Sequence, residues 1–235
     1  MEDFKYTNEQ VEEIANWTLS GLTMYYRDSQ LSESEIQKYA VGQIFRSQTF
    51  IDVSNFAGKL TKNSRFIFAT NKAAPLYQVN PDTEKWKLHT INANSYFKVL
   101  DIYKKGDKTQ FFLLHIPANG IDFFRNTVLR LGGNNLEEQI IEKSRISLDQ
   151  KMEMNTIPEL EEQEWVHRTS FPIGLDATGN FFSLQPTEEM MPQAVPLYNA
   201  IFKMTNDTEL NIAKTIKQEK AEEKGGFWNK LFGKK

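Results

Sequence analysis

The chain has 235 residues, 40% of them hydrophobic and 25% charged, which is enough apolar material for a folded core. It contains no cysteine, which excludes disulfides, thiolate nucleophiles and sulfur-ligated zinc. The net charge of −3 argues against a dedicated nucleic-acid-binding protein, and no apolar run is long enough to span a membrane. Because the N-terminus also lacks the basic lead and apolar run of a secretory signal, we expect a cytoplasmic protein without a nucleic-acid partner.

Two capping boxes mark the N-terminal region. In a capping box, a Ser or Thr hydroxyl and a Glu or Gln three residues later satisfy backbone donors at the start of a helix. The sequence has this pattern at 7–10 (Thr-Asn-Glu-Gln) and at 32–35 (Ser-Glu-Ser-Glu). Apolar residues at helical spacing follow over 11–25 and 36–47. The pattern predicts two helices that pack as a hairpin.

From about residue 65 to residue 116 the pattern becomes extended, with aromatic and β-branched residues between turn signals. The predicted strands are 65–70, 76–79, 85–91, 96–104 and 109–116. Their short connections favour antiparallel neighbours, and Gly106 suits a tight hairpin between the last two strands. This region therefore predicts a β-meander.

The second half of the chain returns to helical spacing, with predicted helices at 121–131 and 136–154 and one that starts near Pro192 and Pro196. A further hairpin is predicted near 165–184. The expected fold class is α+β, with a mostly antiparallel meander at about 65–116 and this hairpin, flanked by N-terminal and C-terminal helices. We expect one globular domain over 1–216.

Motifs for catalysis or for cofactor and metal binding are not found. Neither a phosphate-binding glycine loop nor a Gly-x-Ser-x-Gly elbow occurs, and only three histidines are available. We therefore expect no cofactor and no metal. An enzymatic alternative stays open in which dispersed carboxylates and histidines act together as in a hydrolase, and a pocket collecting His115, Asp101 or Glu164 would favour it.

The C-terminal region has an unusual composition. Residues 217–226 carry charge but no large apolar side chain, which predicts a flexible tether. In 227–235 the apolar side chains fall on one face of a short helix and lysines surround them. The predicted docking residues are Phe227, Trp228, Lys230, Leu231, Phe232, Lys234 and Lys235.

Two classes of function follow from the sequence. The first is a non-enzymatic intracellular interaction or accessory protein that binds a protein partner, and whose amphipathic tail docks weakly on a partner or on an anionic membrane surface. The second is the hydrolase-type enzyme described above. The sequence favours the first, because no catalytic motif supports the second.

Overall fold

The computed structural model describes residues 6–126, 130–131, 134–186 and 189–207. Met1–Thr205 group into one compact unit, and Asn206–Lys235 into a second of which only Asn206 and Asp207 are described. The predicted tether at 217–226 and tail at 227–235 lie outside the described residues. The domain boundaries that we infer from the sequence therefore stay predictions.

The helices and strands of the described residues follow one another in mixed order. The helices are α1 (Asn8–Leu19), α2 (Glu33–Ile36), α3 (Ile121–Asn126), α4 (Leu136–Met152), α5 (Gln163–Thr169) and α6 (Val195–Thr205). The strands are β1 (Thr23–Ser29), β2 (Ile44–Ser47), β3 (Ile51–Ser54), β4 (Ser64–Thr70), β5 (Ala73–Ala74), β6 (Leu88–Ile91), β7 (Ser95–Lys105), β8 (Lys108–Ile116), β9 (Arg130–Leu131) and β10 (Asn134–Asn135).

Within the described residues, β1 to β8 form one sheet in the order β2-β7-β8-β4-β1-β3-β6-β5, and β9 pairs with β10 separately. The pairing is antiparallel except between β4 and β8, which run parallel. The sheet is flanked by helices from the N-terminal and C-terminal regions. The predicted α+β class with a mostly antiparallel sheet is therefore confirmed.

Both predicted capping boxes are present, but the elements that follow them differ from the prediction. Thr7 and Ser32 each cap a helix with the expected reciprocal bonds. The first helix ends at Leu19, because Gly21 adopts a positive φ of 70° and the chain then enters β1. The second helix has four residues, and the chain continues into β2 instead of a longer helix. The predicted helical hairpin is therefore wrong.

The region from 64 to 116 contains three of the predicted strands as β4, β7 and β8, with Gly106 at a φ of 62° in the predicted hairpin. The segments at 76–79 and 85–91 differ. Short 3-10 helices occupy Leu76–Gln78 and Pro81–Trp86, so only Leu88–Ile91 is extended. Pro81 fixes a helical φ at the start of a turn, which explains why helical rather than extended backbone follows it.

The segment near 165–184 also differs from a regular hairpin. Its first part is the helix α5, and its extended part is limited to the isolated bridges Leu175–Phe181 and Arg46–Phe182. The other predicted helices of the second half are found as α3, α4 and α6. The first two end earlier than predicted, and Arg130–Leu131, predicted as helical, form β9.

The central strands are buried on both faces of the sheet, which is why their sequences are almost continuously apolar. Phe66 and Phe111 pack on one face together with Tyr39. Ile67 and Phe112 pack on the other face, which α1, α3 and α4 cover. A smaller cluster contains Trp86, Leu88, Leu160 and Trp165. None of the helices in the described residues has the length and apolar character needed to cross a bilayer.

Candidate functional site

A cleft of about 600 Å³ opens on the side of the sheet where β1, α2, α5 and the loop after α5 meet. This volume lies in the range typical of small-molecule sites. Five of its lining residues are aromatic or positively charged and therefore suited to contact with a ligand. The five are Arg27, Phe50, Arg168, Phe171 and Phe182.

Arg27 is the buried charge of this cleft. Arg27 is only 4% exposed, because it lies on β1 in the interior of the sheet. Nη1 donates to the Asp52 carbonyl at 3.5 Å and Nη2 donates to the Phe171 carbonyl at 3.3 Å. Within the part of the chain that the structure describes, Nε has no hydrogen-bond partner. A buried charged donor without a partner is costly, which makes this position a candidate for ligand binding.

The charge of Arg27 is retained at neutral pH. Burial lowers the pKa of its guanidinium to about 10, and the nearby Asp52 and Tyr39 act in the opposite direction. A pKa of about 10 still leaves the group protonated near pH 7. The cleft therefore presents a fixed positive charge in a poorly solvated place, where its attraction for an anion is stronger than in water.

The wall formed by the loop after α5 is held by Tyr39. Its hydroxyl donates to the Ile173 carbonyl at 2.7 Å and accepts from the Ile173 amide at 3.0 Å. Gly174, which comes next, has a φ of 81°, and a Cβ there would lie 2.4 Å from the Phe45 ring. The loop can take this path only because residue 174 is glycine.

Aromatic rings form the sides of the cleft. Phe171 is 55% exposed at the rim, which is unusual for a side chain of this size. Phe182 is backed by the buried Arg46, whose guanidinium carbon is 5.8 Å from the ring centroid and whose Nε donates to Ser183 at 2.7 Å. Rings of this kind accept a planar ligand group by stacking.

The carboxylates near the cleft are already bonded. Asp52 accepts from Arg168 at 3.0 Å and from the Thr90 hydroxyl at 2.7 Å. Asp176 accepts three bonds within its own turn, and backbone and side-chain bonds lower its pKa. Glu35 bonds both the amide and the hydroxyl of Ser32. The arrangement favours stabilisation of negative charge by the arginines over proton transfer by a carboxylate.

The residues proposed for a hydrolase-type site do not come together. His115 lies on β8, where its Nδ1 is 2.8 Å from the Thr70 hydroxyl, and burial lowers its pKa to about 3. Asp101 on β7 accepts two bonds from Arg145 at 2.6 and 2.7 Å. Glu164 lies on α5 beside an open depression. Among the residues described, no three His, Asp or Glu side chains are grouped as metal ligands.

Comparison with families and curated proteins gives no match to this sequence. Solved structures do match. The ADP-ribosyltransferase HopU1 of Pseudomonas syringae pv. Tomato DC3000 is 14% identical, with a TM-score of 0.36 over 40% of this chain and 45% of that one. The Vis toxin, an ADP-ribosyltransferase from Vibrio splendidus, is 14% identical, with a TM-score of 0.35 over 49% and 57%.

A third matched structure is exoenzyme S from Pseudomonas aeruginosa in complex with human 14-3-3 protein beta and bound to carba-NAD. It is 9% identical, with a TM-score of 0.35 over 44% of this chain and 53% of that one. The chain spans about half the length of these structures. At such low identities and TM-scores, these activities are stated of the matched proteins and not of this chain.

The comparison nevertheless corrects one prediction. HopU1 and the Vis toxin are both ADP-ribosyltransferases. This finding contradicts the predicted non-enzymatic interaction or accessory protein that binds a protein partner, so that prediction is wrong. The predicted docking residues of 227–235 lie outside the described residues, and their role stays a prediction.

Proposed function

We propose that the cleft beside Arg27 is the substrate site of an enzyme that acts on a nucleotide. The observation that carries the proposal is the buried guanidinium of Arg27, whose Nε has no partner in the described part of the chain, in a cleft with aromatic sides. A phosphate in the cleft is attracted by this buried charge, and a base fits beside the aromatic side chains. A nucleotide supplies both groups in one molecule.

Arg168 supports the same ligand class. It lies at the rim, 38% exposed, and is held by Asp52 at 3.0 Å and Glu164 at 3.5 Å. Its guanidinium is therefore positioned beside the cleft but still accessible to a ligand. With Arg27 it offers two guanidinium groups, which suits a ligand with more than one phosphate oxygen to bind.

Isothermal titration of the full chain with ADP, NAD and inorganic phosphate tests the proposal. We expect one ADP or NAD to bind per chain, and phosphate to bind more weakly because it has no ring. Phe171→Ala should weaken nucleotide binding by about tenfold, since a stacked base contributes about 1–3 kcal/mol, and should leave phosphate binding unchanged. Arg168→Gln should weaken the binding of all three ligands.

Val79→Ala is the matched control, because Val79 is 68% exposed and is not part of the cleft lining. Chromatography of the incubated nucleotides measures turnover in the same samples. The proposal fails if no nucleotide binds, or if Phe171→Ala and Arg168→Gln bind nucleotides as the unchanged protein does. Both variants change partly exposed side chains, so loss of folding does not obscure the result.

A further inference from the structure

A second cavity, of about 220 Å³, lies between α4 and the opposite face of the sheet. Its lining is mostly apolar. The sheet contributes Met24, Tyr26 and Ile67, the loop before β1 contributes Leu22, and the helix contributes Ile140, Lys143, Ser144, Ser147 and Leu148. It shares no lining residue with the cleft beside Arg27.

The helix is held in place on its other side, which keeps this cavity from closing. Arg145 makes two bonds of 2.6 and 2.7 Å to Asp101 of β7. Lys98 of β7 makes two bonds of 2.8 and 3.0 Å to Glu137 at the start of the helix. These charge-assisted bonds fix α4 against β7, and the small side chains of Ser144 and Ser147 leave the gap towards β1 unfilled.

Two lysines border the cavity on one edge of α4. Lys143, Ser147 and Lys151 are spaced four residues apart and lie along one stripe of the helix. Lys143 lines the cavity, and Nζ of Lys151 is 5.0 Å from the centroid of the Tyr26 ring, which also lines it. Across the ranges that the structure describes, neither lysine forms a salt bridge with an acidic side chain.

Burial and the neighbouring Arg65 both act against a charge at Lys151. Burial lowers the pKa of Lys151 first, and repulsion by Arg65 lowers it further. Arg65 itself is engaged by Asp28 and lies 5.9 Å from the Tyr26 ring. This edge of the cavity therefore carries an excess of positive charge, which an anion would relieve.

We propose that this cavity binds a medium-chain carboxylic acid, with the alkyl chain in the apolar gap and the carboxylate beside Lys143 and Lys151. The charge of the rim and the apolar lining together specify an amphipathic anion. An apolar cavity of about 150 Å³ accepts benzene, so this larger one accommodates an alkyl chain of about six to eight carbons.

Titration of the full chain with octanoate tests the inference, with octanol as the uncharged comparison. We expect octanoate to bind saturably, one per chain, and octanol to bind more weakly. Lys143→Met combined with Lys151→Met should reduce octanoate affinity by about three- to fivefold per lysine and bring it to that of octanol. Lys104→Met, on the exposed end of β7, is the matched control and should bind as the unchanged protein does.

Filling the gap tests the position of the alkyl chain. Ser144→Leu fills the cavity from the helix and should abolish octanoate binding. If this variant does not fold, Met24→Phe fills the cavity from the sheet and should reduce octanoate binding. The inference is overturned if octanoate does not saturate, if a folded filling variant binds it as before, or if the double lysine variant retains full affinity. None of these outcomes depends on nucleotide binding in the cleft beside Arg27.

Discussion

The guanidinium of Arg65 and the carboxylate of Asp28 form a bidentate ion pair inside the protein, with Nε donating to Oδ1 at 2.5 Å and Nη2 to Oδ2 at 2.9 Å. The side chains are 2% and 8% exposed. Arg65 also donates to the Gly58 carbonyl at 2.8 Å, and Asp28 also accepts from the Thr61 amide at 2.9 Å. The pair thus joins β1, β4 and the loop between β3 and β4.

Asp28→Asn should destabilise the protein strongly, because it leaves the buried charge of Arg65 without its counter-ion. Removing one partner of a buried pair costs about 3–5 kcal/mol of unfolding free energy. Urea denaturation measures this loss of unfolding free energy. Asp107→Asn is the control, since Asp107 is 85% exposed and 3.5 Å from Lys108, and should cost less than about 1 kcal/mol. Equal losses in the two variants would contradict the role given to the buried pair.

His115 should make the protein less stable as the pH falls. Burial, and then the charge of Lys72, lower its pKa in the folded state to about 3, from 6.5 in the unfolded chain. Between these values only the unfolded state binds the proton, so stability decreases by up to about 1.4 kcal/mol for each pH unit below 6.5. His115→Asn should reduce the slope of the unfolding free energy against pH by up to about 1.4 kcal/mol per pH unit, which corresponds to one proton. Slopes above pH 7 should be the same in both proteins, and an unchanged slope near pH 5 would contradict the prediction.

Gly174→Ala should cost more stability than Gly179→Ala. Both glycines have a positive φ, of 81° and 76°, so in both variants the left-handed backbone lowers the free energy of unfolding by about 1–2 kcal/mol. Only at residue 174 does the added Cβ meet another group, the Phe45 ring at 2.4 Å, while residue 179 has nothing within 4 Å. The difference should be about 1–3 kcal/mol in thermal or urea unfolding. Equal effects would show that the loop relaxes away from Phe45.

Tyr39→Phe should loosen the wall of the cleft beside Arg27. The variant leaves the buried amide and carbonyl of Ile173 without the hydroxyl, which costs about 1–3 kcal/mol. Hydrogen exchange should then increase at the Ile173 amide. Tyr103→Phe is the control, because its hydroxyl makes only longer bonds of 3.3 and 3.4 Å to Asp149. Protection of Ile173 that is the same in both variants would contradict this role.

Local sequence chemistry predicts where several elements begin. The capping boxes at Thr7 and Ser32 depend on residues three apart, so they are visible in the sequence and appear in the structure. The sequence shows less clearly where a helix or strand ends. Ile44 and Ser47 continue the helical spacing of the preceding residues, yet they lie in β2, because pairing with β7 outweighs a four-residue helical repeat.

The cleft is harder to predict, because its residues are far apart in the sequence. Arg27, Arg168 and Phe182 meet only after β1, α5 and the loop beyond it have packed. One local signal exists: Arg27 is a charged residue inside the run Tyr-Tyr-Arg-Asp-Ser, which is now seen to be a largely buried strand. A charge in such a strand requires a partner or a ligand.

The parallel pairing of β4 with β8 has a consequence for the order of folding. Hairpin β7–β8 closes across a two-residue turn and can form from local contacts, within microseconds for typical hairpins. Its attachment to β4 requires the whole chain from Asn71 to Asp107 to loop back before any hydrogen bond of that pair forms. The centre of the sheet therefore forms after this hairpin, so in a refolding chain the hairpin precedes the core.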